Sequence, residues 1–400
     1  MTKSRTEATF LSPIVESRRW VQDVSFPQDR PLLNLSQAAP ADPPPLGLRQ
    51  ALAEAALHQD DAHLYGAVLG RTDLRQALAD QMSQHYDAQI LPDQIGITSG
   101  CNQAFAATIA ALCSEGDEVI IPVPWYFNHK MWLDLSGTIA RPLQVGADML
   151  PDLDAAKALI TPRTRAIVLV TPNNPTGVEY PDALLRAYFD LARAHELHLI
   201  VDETYRDFDS RSGPPHALFQ DPSWAQTLVH LYSFSKAYRL TGHRVGAIAT
   251  APELLFEMEK FLDTVTICPS QLGQIGASWG IHNLQNWLAG ERQEILDRKK
   301  AIIDRFPILE SKGWRLLGCG AYFAYVEHPF AQPAEEIAKQ LVTEASVLML
   351  PGTMFMPKGS KSAERQFRIA FANVDAEGLT ELFSRLSRFT PAGANSTEAP

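Results

Sequence analysis

Between residues 95 and 250 the chain alternates short apolar, β-branched runs with longer stretches that have helical periodicity. Several of these runs are apolar at nearly every position, which is typical of strands covered by helices on both faces. We therefore predict an α/β fold built on a mostly parallel, seven-stranded sheet between helices. The seven predicted strands are 95–98, 118–121, 141–145, 166–170, 197–201, 228–232 and 245–249.

The regions on either side of this alternation differ from it. Residues 1–30 look polar and irregular, and a strand-like run follows at 32–37. Beyond residue 285 the predicted elements are a charged helix at 293–306, strands at 314–317 and 322–326, a helix at 334–345, a strand at 367–371 and a helix at 376–389. We predict a large domain at 48–285 and a smaller α+β domain formed from both chain ends, 1–47 and 286–400, with a disordered tail at 391–400.

Charge and hydropathy argue against two classes of partner. The chain has 46 acidic and 35 basic residues, a net charge of -11, which argues against nucleic acid as the main partner. It has no apolar signal-peptide core and no apolar run long enough to span a bilayer, so we expect no membrane association. Its scattered cysteines form no CxxC pair, and reduced thiols in a cytoplasmic protein are the simplest expectation.

Polar and aromatic residues follow several predicted strands, where a parallel sheet places its ligands. Gly100 and Cys101 come directly before an alanine-rich helix, whose free N–H groups favour phosphate. Asn174 lies in a loop with two X-Pro turns. Asp202 follows an apolar strand, where a buried carboxylate needs a partner such as a pyridinium N–H or an ordinary arginine. Tyr126 offers a ring that stacks on a planar heterocycle or simply packs in the core.

A single lysine stands in the segment from residue 231 to 246, between two serines and ahead of an arginine. The amine of Lys236 can form a Schiff base with an aldehyde cofactor once burial or nearby cations lower its pKa. Ser233, Ser235 and Arg244 are suited to bind the phosphate of such a cofactor. On this segment alone, a surface lysine in a basic turn is an equally good interpretation.

A series of motifs runs in one order along nearly the whole chain. Together they resemble the motifs of pyridoxal-phosphate enzymes of the aspartate aminotransferase fold (fold type I), specifically the class I/II aminotransferases. The resemblance implies pyridoxal 5'-phosphate as the cofactor and an amino acid and a 2-oxo acid as substrates. The motifs are Gly100-Cys-Asn-Gln-Ala, Pro124-Trp-Tyr, Asn174-Pro-Thr-Gly, Asp202-Glu-Thr-Tyr205, Ser233-Phe-Ser-Lys236, Gly242-His-Arg244-Val-Gly and Phe367-Arg368-Ile-Ala-Phe.

The resemblance implies a role for each residue around the cofactor ring. Lys236 would be the Schiff-base lysine and the general acid/base at the substrate Cα. Asp202 would keep the pyridine nitrogen protonated, while Tyr205 and Asn174 would donate hydrogen bonds to the phenolic oxygen. Tyr126 would stack on the ring.

Two further groups would hold the substrate and the phosphate. Arg368 would clamp the α-carboxylate with support from Asn174, and Ala38, where relatives often have glycine, would narrow the substrate pocket. Tyr65 would reach the phosphate from a second subunit, which implies a homodimer with shared sites; a loop tyrosine packed in its own chain is the alternative. The phosphate ligands from the same chain would be Ser233, Ser235, Arg244 and the backbone N–H groups of Cys101 and Asn102.

The choice of amino acid depends on a second cation in this family. Members that prefer dicarboxylic acids use an arginine of the partner subunit, from a segment resembling residues 261–274. That segment contains no arginine or lysine here. A side-chain carboxylate would lack its partner, so we expect a neutral or aromatic amino acid.

Three other functions remain open at the level of sequence. The same scaffold supports carbon-sulfur β-lyases and other reactions at Cα or Cβ, because the cofactor supplies the chemistry. An aminotransferase-like sensor in a transcription regulator would need a DNA-binding extension, which we do not expect in the short segment ahead of Leu32. A phosphate-binding α/β protein without a covalent cofactor would give a colourless preparation.

Overall fold

The computed structural model describes residues 4–40 and 42–392, whose largest element is one seven-stranded sheet. The strands, in chain order, are β1 (Leu33–Asn34), β2 (Ile95–Thr98), β3 (Glu118–Val123), β4 (Ile139–Gln144), β5 (Thr164–Val170), β6 (His198–Asp202), β7 (Leu228–Ser233), β8 (Gly246–Ala249), β9 (Arg315–Gly320), β10 (Phe323–Glu327), β11 (Val347–Leu348), β12 (Leu350–Pro351) and β13 (Gln366–Ala370). The large sheet has the order β2-β8-β7-β6-β5-β3-β4. In it β8 is antiparallel to both neighbours and every other pair is parallel, which confirms the predicted sheet.

The α-helices of the described residues cover both faces of the large sheet and pack against the smaller sheet. In chain order they are α1 (Arg5–Ala8), α2 (Pro13–Val21), α3 (Leu46–His58), α4 (Thr72–Tyr86), α5 (Cys101–Leu112), α6 (Phe127–Ser136), α7 (Leu153–Ala158), α8 (Asp182–Ala194), α9 (Phe234–Ala237), α10 (Pro252–Thr266), α11 (Gln271–Asn283), α12 (Gln285–Arg305), α13 (Pro307–Glu310), α14 (Ala334–Gln340) and α15 (Ala376–Arg388). Leu199 and Val201 of β6 pack in one core with residues of α4 and α8, and Ile200 packs in another with residues of α5 and α10. This double cover explains why the strands are apolar at successive positions.

A smaller sheet and both chain ends form the rest of the structure. Strands β12, β13, β10 and β9 make an antiparallel sheet in that order. The N-terminal strand β1 pairs in parallel with β11, with Leu33 opposite Val347, so the predicted α+β arrangement is confirmed. The short helix α1 instead contacts α6 beside the large sheet, where Arg5 forms an ion pair with Glu115 at 2.6 Å. The domain boundaries at 47 and 286 stay a prediction.

The N-terminal thirty residues differ from the expected irregular segment. Helix α1 begins after Ser4, whose hydroxyl accepts the N–H of Glu7 at 3.3 Å while the Glu7 carboxylate accepts the N–H of Ser4. Helix α2 begins at Pro13, at the first helical position, where the missing N–H of proline costs nothing. Ser12-Pro13 is therefore a helix start signal, and the expectation of an irregular segment was wrong.

Two predicted element boundaries moved for identifiable reasons. Helix α12 starts at Gln285, whereas the charged pattern predicted a start at residue 293. The first turns do not look like a charged helix, because they contain apolar Trp287, which packs against the core. Strand β4 was expected at 141–145, but it is an edge strand and only Leu143 is buried along it. A strand with a single buried side chain has a weak period-two pattern, so its ends are poorly marked in the sequence.

Two expectations concern the C-terminal tail and membranes. Most of the predicted disordered tail at 391–400 lies outside the described residues, which end at 392. In the described part of the chain, no helix combines the length and apolar character that crossing a bilayer requires.

Candidate active site

A cavity of about 380 Å3 lies between the large sheet and strand β13 of the smaller sheet. It is located at the carboxyl ends of β5, β6 and β7 and at the start of α5, which is where a parallel sheet places a ligand. All of the predicted site residues except Tyr65 line it. These residues are Ala38, Cys101, Asn102, Tyr126, Asn174, Asp202, Tyr205, Ser233, Ser235, Lys236, Arg244 and Arg368.

Lys236 stands in the short helix α9, directly after β7. Ser233 caps this helix by accepting the N–H of Ser235 at 3.3 Å. The Lys236 amine donates to the carbonyl oxygen of Ala38. Burial, together with repulsion from Arg244 and Arg368, lowers the pKa of Lys236 to about 8. Part of the amine is therefore neutral near physiological pH, as a nucleophilic lysine requires.

Asp202 ends β6 as a buried carboxylate surrounded by donors. On one oxygen, Thr204 donates from its backbone N–H at 3.0 Å and from its hydroxyl at 2.7 Å, and the thiol of Cys101 lies 3.6 Å away. Nε2 of His129 lies 3.1 Å from the other oxygen. Burial raises the pKa of Asp202, but His129 and Thr204 outweigh this effect, so the pKa lies below its ordinary value. The group is a carboxylate at neutral pH.

His129 is a site residue that the sequence analysis missed. It lies in the first turn of α6, three residues after Tyr126, and the centroids of the two rings are 4.9 Å apart. Its imidazole also stacks on Phe105, with centroids 4.0 Å apart. The three-residue spacing between Tyr126 and His129 could have indicated this residue from the sequence, because it places both rings on the same side of a helix start. The contact with Asp202 joins distant parts of the chain and appears only in the folded protein.

Two tyrosines, Tyr126 and Tyr205, line the cavity. Tyr126 accepts a hydrogen bond from Nδ2 of Asn128 at 2.9 Å and donates to Oδ1 of Asn102 at 3.2 Å. Burial raises the pKa of Tyr126 to about 12. The ring centroid of Tyr205 lies 6.0 Å from Nζ of Lys236, and burial raises its pKa as well. Both phenols are therefore protonated donors at neutral pH.

A cradle for an anion forms where β8 meets the start of α5. Gly100 has φ +91, and a Cβ there would collide with the guanidinium of Arg244; a Cβ on Gly246 would lie 2.6 Å from the N–H nitrogen of Cys101. The two glycines thus let backbone and arginine approach one point. Arg244 donates to the hydroxyl of Ser235 at 3.3 Å. The first N–H groups of α5 have no partner within the helix, which favours a phosphate.

Arg368, in β13, lies on the opposite side of the cavity. Its Nη1 donates to Oδ1 of Asn174 at 2.9 Å and its Nη2 donates to the carbonyl oxygen of Ser36. The guanidinium stands between the rings of Phe323 and Phe355, with centroids 5.1 and 4.9 Å away. Burial lowers the pKa of Arg368 to about 10, so it stays charged at neutral pH. Its Nε has no hydrogen-bond partner in the described structure, as expected of a group that awaits a carboxylate.

Tyr65 is the predicted site residue that the fold does not bring to the cavity of its own chain. It is 80% exposed, in the loop between α3 and α4. The N–H of the next residue, Gly66, donates to the thiol of Cys268 at 3.4 Å, so this loop packs near the start of α11. Leu57 and Leu64 nearby are also exposed. The predicted contribution of Tyr65 to a second subunit stays a prediction.

The N-terminal region contributes lining residues that the sequence analysis did not propose. Arg18 of α2 and Gln37 line the cavity, as do Ser12, Ile14 and Val15. The residues of α2 were not proposed because the segment was expected to be irregular, and an irregular segment has no face that can be assigned to a cavity. A real helix at this position presents one face to the cavity.

The donor set of the cavity fits pyridoxal 5'-phosphate. Lys236 offers an amine for an aldehyde and Asp202 a carboxylate for a protonated ring nitrogen. The cradle at Gly100 and Arg244 suits a phosphate, and the free Nε of Arg368 suits a substrate carboxylate. A lysine, a ring-nitrogen partner and an anion cradle at this sheet edge define a fold type I pyridoxal-phosphate enzyme.

Comparison with known proteins gives the family. Residues 30–386 match the family described as Aminotransferase class I and II. An aspartate aminotransferase of Pyrococcus abyssi is 26% identical over 337 residues, which cover 81% of this chain and 83% of the relative. Aromatic-amino-acid aminotransferase 2 of Thermococcus litoralis is 27% identical over 350 residues, which cover 84% and 86%. A single mutant of Thermus thermophilus aspartate aminotransferase has the same fold, with a TM-score of 0.86, 23% identity and coverage of 97% of this chain and 99% of that chain.

The chain therefore belongs to the class I and II aminotransferase family. Members of this family are transferases that use pyridoxal 5'-phosphate, and this protein is an aminotransferase of that kind.

Proposed function

We propose that the protein transfers the amino group of a neutral or aromatic L-amino acid to a 2-oxo acid, with Lys236 holding pyridoxal 5'-phosphate as a Schiff base. The main support is a lysine of lowered pKa in the cavity that also contains Asp202 and Arg368. When bound, the cofactor supplies an electron sink for negative charge at the substrate Cα. The side chains of the protein bind and orient the cofactor and the substrate and move the proton.

The polar residues around the ring orient it and control its charge. Asp202, kept ionised by His129 and Thr204, would accept a hydrogen bond from the protonated ring nitrogen of the cofactor. Tyr205 would donate to the phenolic oxygen, and so would Nδ2 of Asn174, because Oδ1 of Asn174 already accepts from Arg368. The amine of Lys236 would act as the general acid/base that moves a proton between the substrate Cα and the aldehyde-derived carbon of the cofactor.

The anion-binding residues orient the reacting ends. Arg244, Ser233, Ser235 and the first N–H groups of α5 bind the phosphate, and Arg368 binds the α-carboxylate through its fork of donors. Ala38 lines the cavity and accepts a hydrogen bond from Lys236 through its carbonyl oxygen, and its methyl group would narrow the substrate pocket. With the cofactor held at its phosphate and the substrate at its α-carboxylate, the substrate Cα would lie at the lysine amine.

We propose that the active form is a homodimer in which Tyr65 binds the phosphate of the partner's site. The exposure of Leu57, Leu64 and Tyr65, three large and mostly apolar residues within positions 57–65, supports this proposal, because an interface would cover them. Light scattering should give the mass of two chains. A monomeric mass for fully active protein would contradict the dimer.

The preference for a neutral or aromatic amino donor rests on the absence of a cation from one segment of the chain. Residues 261–274, the segment that supplies it in dicarboxylate-specific relatives, contain no arginine or lysine. An unpaired carboxylate in this cavity would be penalised, whereas an apolar side chain would not. The similarity to an aromatic-amino-acid aminotransferase agrees with this preference.

A panel of amino donors against 2-oxoglutarate and pyruvate tests the function. We expect kcat/KM for phenylalanine, tyrosine or leucine to exceed that for aspartate by about tenfold or more. Mixing the holoenzyme with one amino acid alone should convert the cofactor to its amine form and release one equivalent of 2-oxo acid. Release of ammonia with pyruvate from a cysteine-type substrate, without amine-form cofactor, would instead identify a β-lyase.

A further inference from the structure

Thr204 stands between Asp202 and Tyr205 in the chain, and it lines the same cavity as both of them. It follows the end of β6, where the chain leaves the large sheet. Asp202 and Tyr205 have predicted contacts with the cofactor ring, whereas no contact with the cofactor was predicted for Thr204. Its hydroxyl donates to Oδ1 of Asp202 at 2.7 Å.

The two carboxylate oxygens of Asp202 have different surroundings. Oδ1 accepts the N–H of Thr204 at 3.0 Å and its hydroxyl at 2.7 Å, and the thiol of Cys101 lies 3.6 Å away. Since an oxygen has two lone pairs, these donors use its acceptor capacity. Oδ2 lies 3.1 Å from Nε2 of His129, but neither ring nitrogen of His129 makes an aligned hydrogen bond with the described residues. Oδ2 therefore keeps acceptor capacity for a ligand.

We infer that the hydroxyl of Thr204 is a positioning group, which fixes the rotation of the Asp202 carboxylate so that Oδ2 accepts the ring N–H of pyridoxal 5'-phosphate. This inference rests on the proposed function and adds the residue that orients the partner of the ring nitrogen. A hydrogen bond to an ionised acceptor is short and strong. The side chain that donates it is stiff, because threonine is branched at Cβ. Together these properties hold the carboxylate in one orientation.

The backbone hydrogen bond from residue 204 does not by itself select one oxygen. Any residue except proline at this position has an N–H to donate, and aspartate commonly accepts such a bond two residues along a turn. A short hydroxyl side chain, as in threonine or serine, adds the second donor to the same oxygen. Without it, Oδ1 regains a free lone pair, and either oxygen of Asp202 can face the ring nitrogen.

The test compares two ligands of the cofactor-free protein. One is pyridoxal 5'-phosphate, and the other is its 1-deaza analogue, which keeps the aldehyde and the phosphate but has a C–H in place of the ring nitrogen. In Thr204→Val, the Kd of pyridoxal 5'-phosphate should rise about tenfold, while the Kd of the analogue should change less than about twofold. Thr204→Ser, which keeps the hydroxyl, should bring the Kd of pyridoxal 5'-phosphate to within about threefold of wild type. Equilibrium dialysis measures both constants.

Thr250→Val is the matched control, because it also removes a hydroxyl that donates inside the protein. The Thr250 hydroxyl donates to the carbonyl oxygens of Ala225 and Leu228. Thr250 follows β8, which runs antiparallel to β7, so it lies at the edge of the sheet opposite the cavity. The Kd of each ligand should stay within about twofold of wild type in this variant.

Two outcomes would overturn the inference. Equal weakening of both ligands in Thr204→Val would make Thr204 a structural residue of the turn, and an unchanged Kd of pyridoxal 5'-phosphate would show that the hydroxyl does not position Asp202. Amino transfer by the wild-type protein would leave the proposed function intact in either case. Absence of amino transfer from the wild-type protein would instead contradict the proposed function, and the ligand comparison, which measures binding alone, would still decide the role of Thr204.

Discussion

Two adjacent carboxylates at the end of β6 have nearly the same immediate chemistry. Asp202 is 2% exposed and Glu203 is 1% exposed. Each has a histidine nitrogen close to one oxygen, His129 at 3.1 Å and His230 at 2.8 Å. In both, burial opposes ionisation, and contacts with histidine outweigh it, so that both pKa values lie below the ordinary range. Neither residue type nor electrostatics alone distinguishes them.

The two carboxylates differ in what lies beyond them. Successive side chains of a strand point to opposite faces, so Asp202 faces the cavity and Glu203 faces the core. Tyr86 donates to Glu203, and Nε2 of His216 lies 3.4 Å from it. These partners belong to an aromatic cluster, in which Tyr86 stacks on His216 with ring centroids 4.9 Å apart. A perturbed buried carboxylate beside a histidine therefore indicates a functional site only where a cavity reaches it.

Removal of the amine on the cavity side should have the largest effect. Lys236→Ala should lower kcat by on the order of 10⁴-fold, because the amine moves the proton at the substrate Cα. Absorbance should still show bound cofactor, held through the phosphate. Lys260→Ala, which loses surface contacts with Glu257 and Phe256, is the control. Turnover within tenfold of wild type would place the catalytic amine elsewhere.

The cavity-facing carboxylate should affect rate far more than stability. Asp202→Asn should lower kcat by about 10³-fold, because a neutral amide does not keep the ring nitrogen protonated. The thermal midpoint should move little, since asparagine retains the hydrogen bonds from Thr204. Steady-state kinetics and thermal unfolding measure the two quantities. A large loss of stability with normal kcat would make Asp202 a structural residue like Glu203.

The core-facing carboxylate should give the reverse pattern. Glu203→Gln should lower the free energy of unfolding by about 3 kcal/mol, because Tyr86 and His230 lose a buried charged acceptor. Urea denaturation measures this change, and kcat of the folded fraction should stay within about threefold. Glu257→Gln at the surface, with an expected change under about 0.5 kcal/mol, is the matched control. If Glu203→Gln abolished turnover without loss of stability, the contrast with Asp202 would disappear.

The smallest expected effect is the pH dependence of cofactor addition. The neutral amine of Lys236 is the reactive form, and its pKa lies at about 8 instead of 10.5. In cofactor-free protein, the rate of pyridoxal 5'-phosphate addition should rise as pH increases toward about 8 and then level off. Stopped-flow absorbance at a series of pH values measures this. A rate that keeps rising to about pH 10 would show that the cavity does not lower the pKa of this lysine.

Much of the fold and of the cavity lining was predictable because the relevant patterns are local. Asp202 stands at the end of an apolar strand and Asn174 and Lys236 stand shortly after one, and such positions can be identified without knowledge of the fold. The helix start at Pro13 was equally local but was overlooked among polar residues. The edge strand β4 was poorly placed because one buried side chain leaves little periodicity.

The sequence by itself determined the α/β alternation and which polar residues follow the strands. Only the tertiary structure decided that Asp202, and not Glu203, faces the cavity, because the choice depends on which helices cover each face of the sheet. It also decided the contact between Arg368 and Asn174, which are 194 residues apart, and the approach of Arg18 from α2. Such contacts depend on how distant segments pack, and no local pattern of residues specifies that packing.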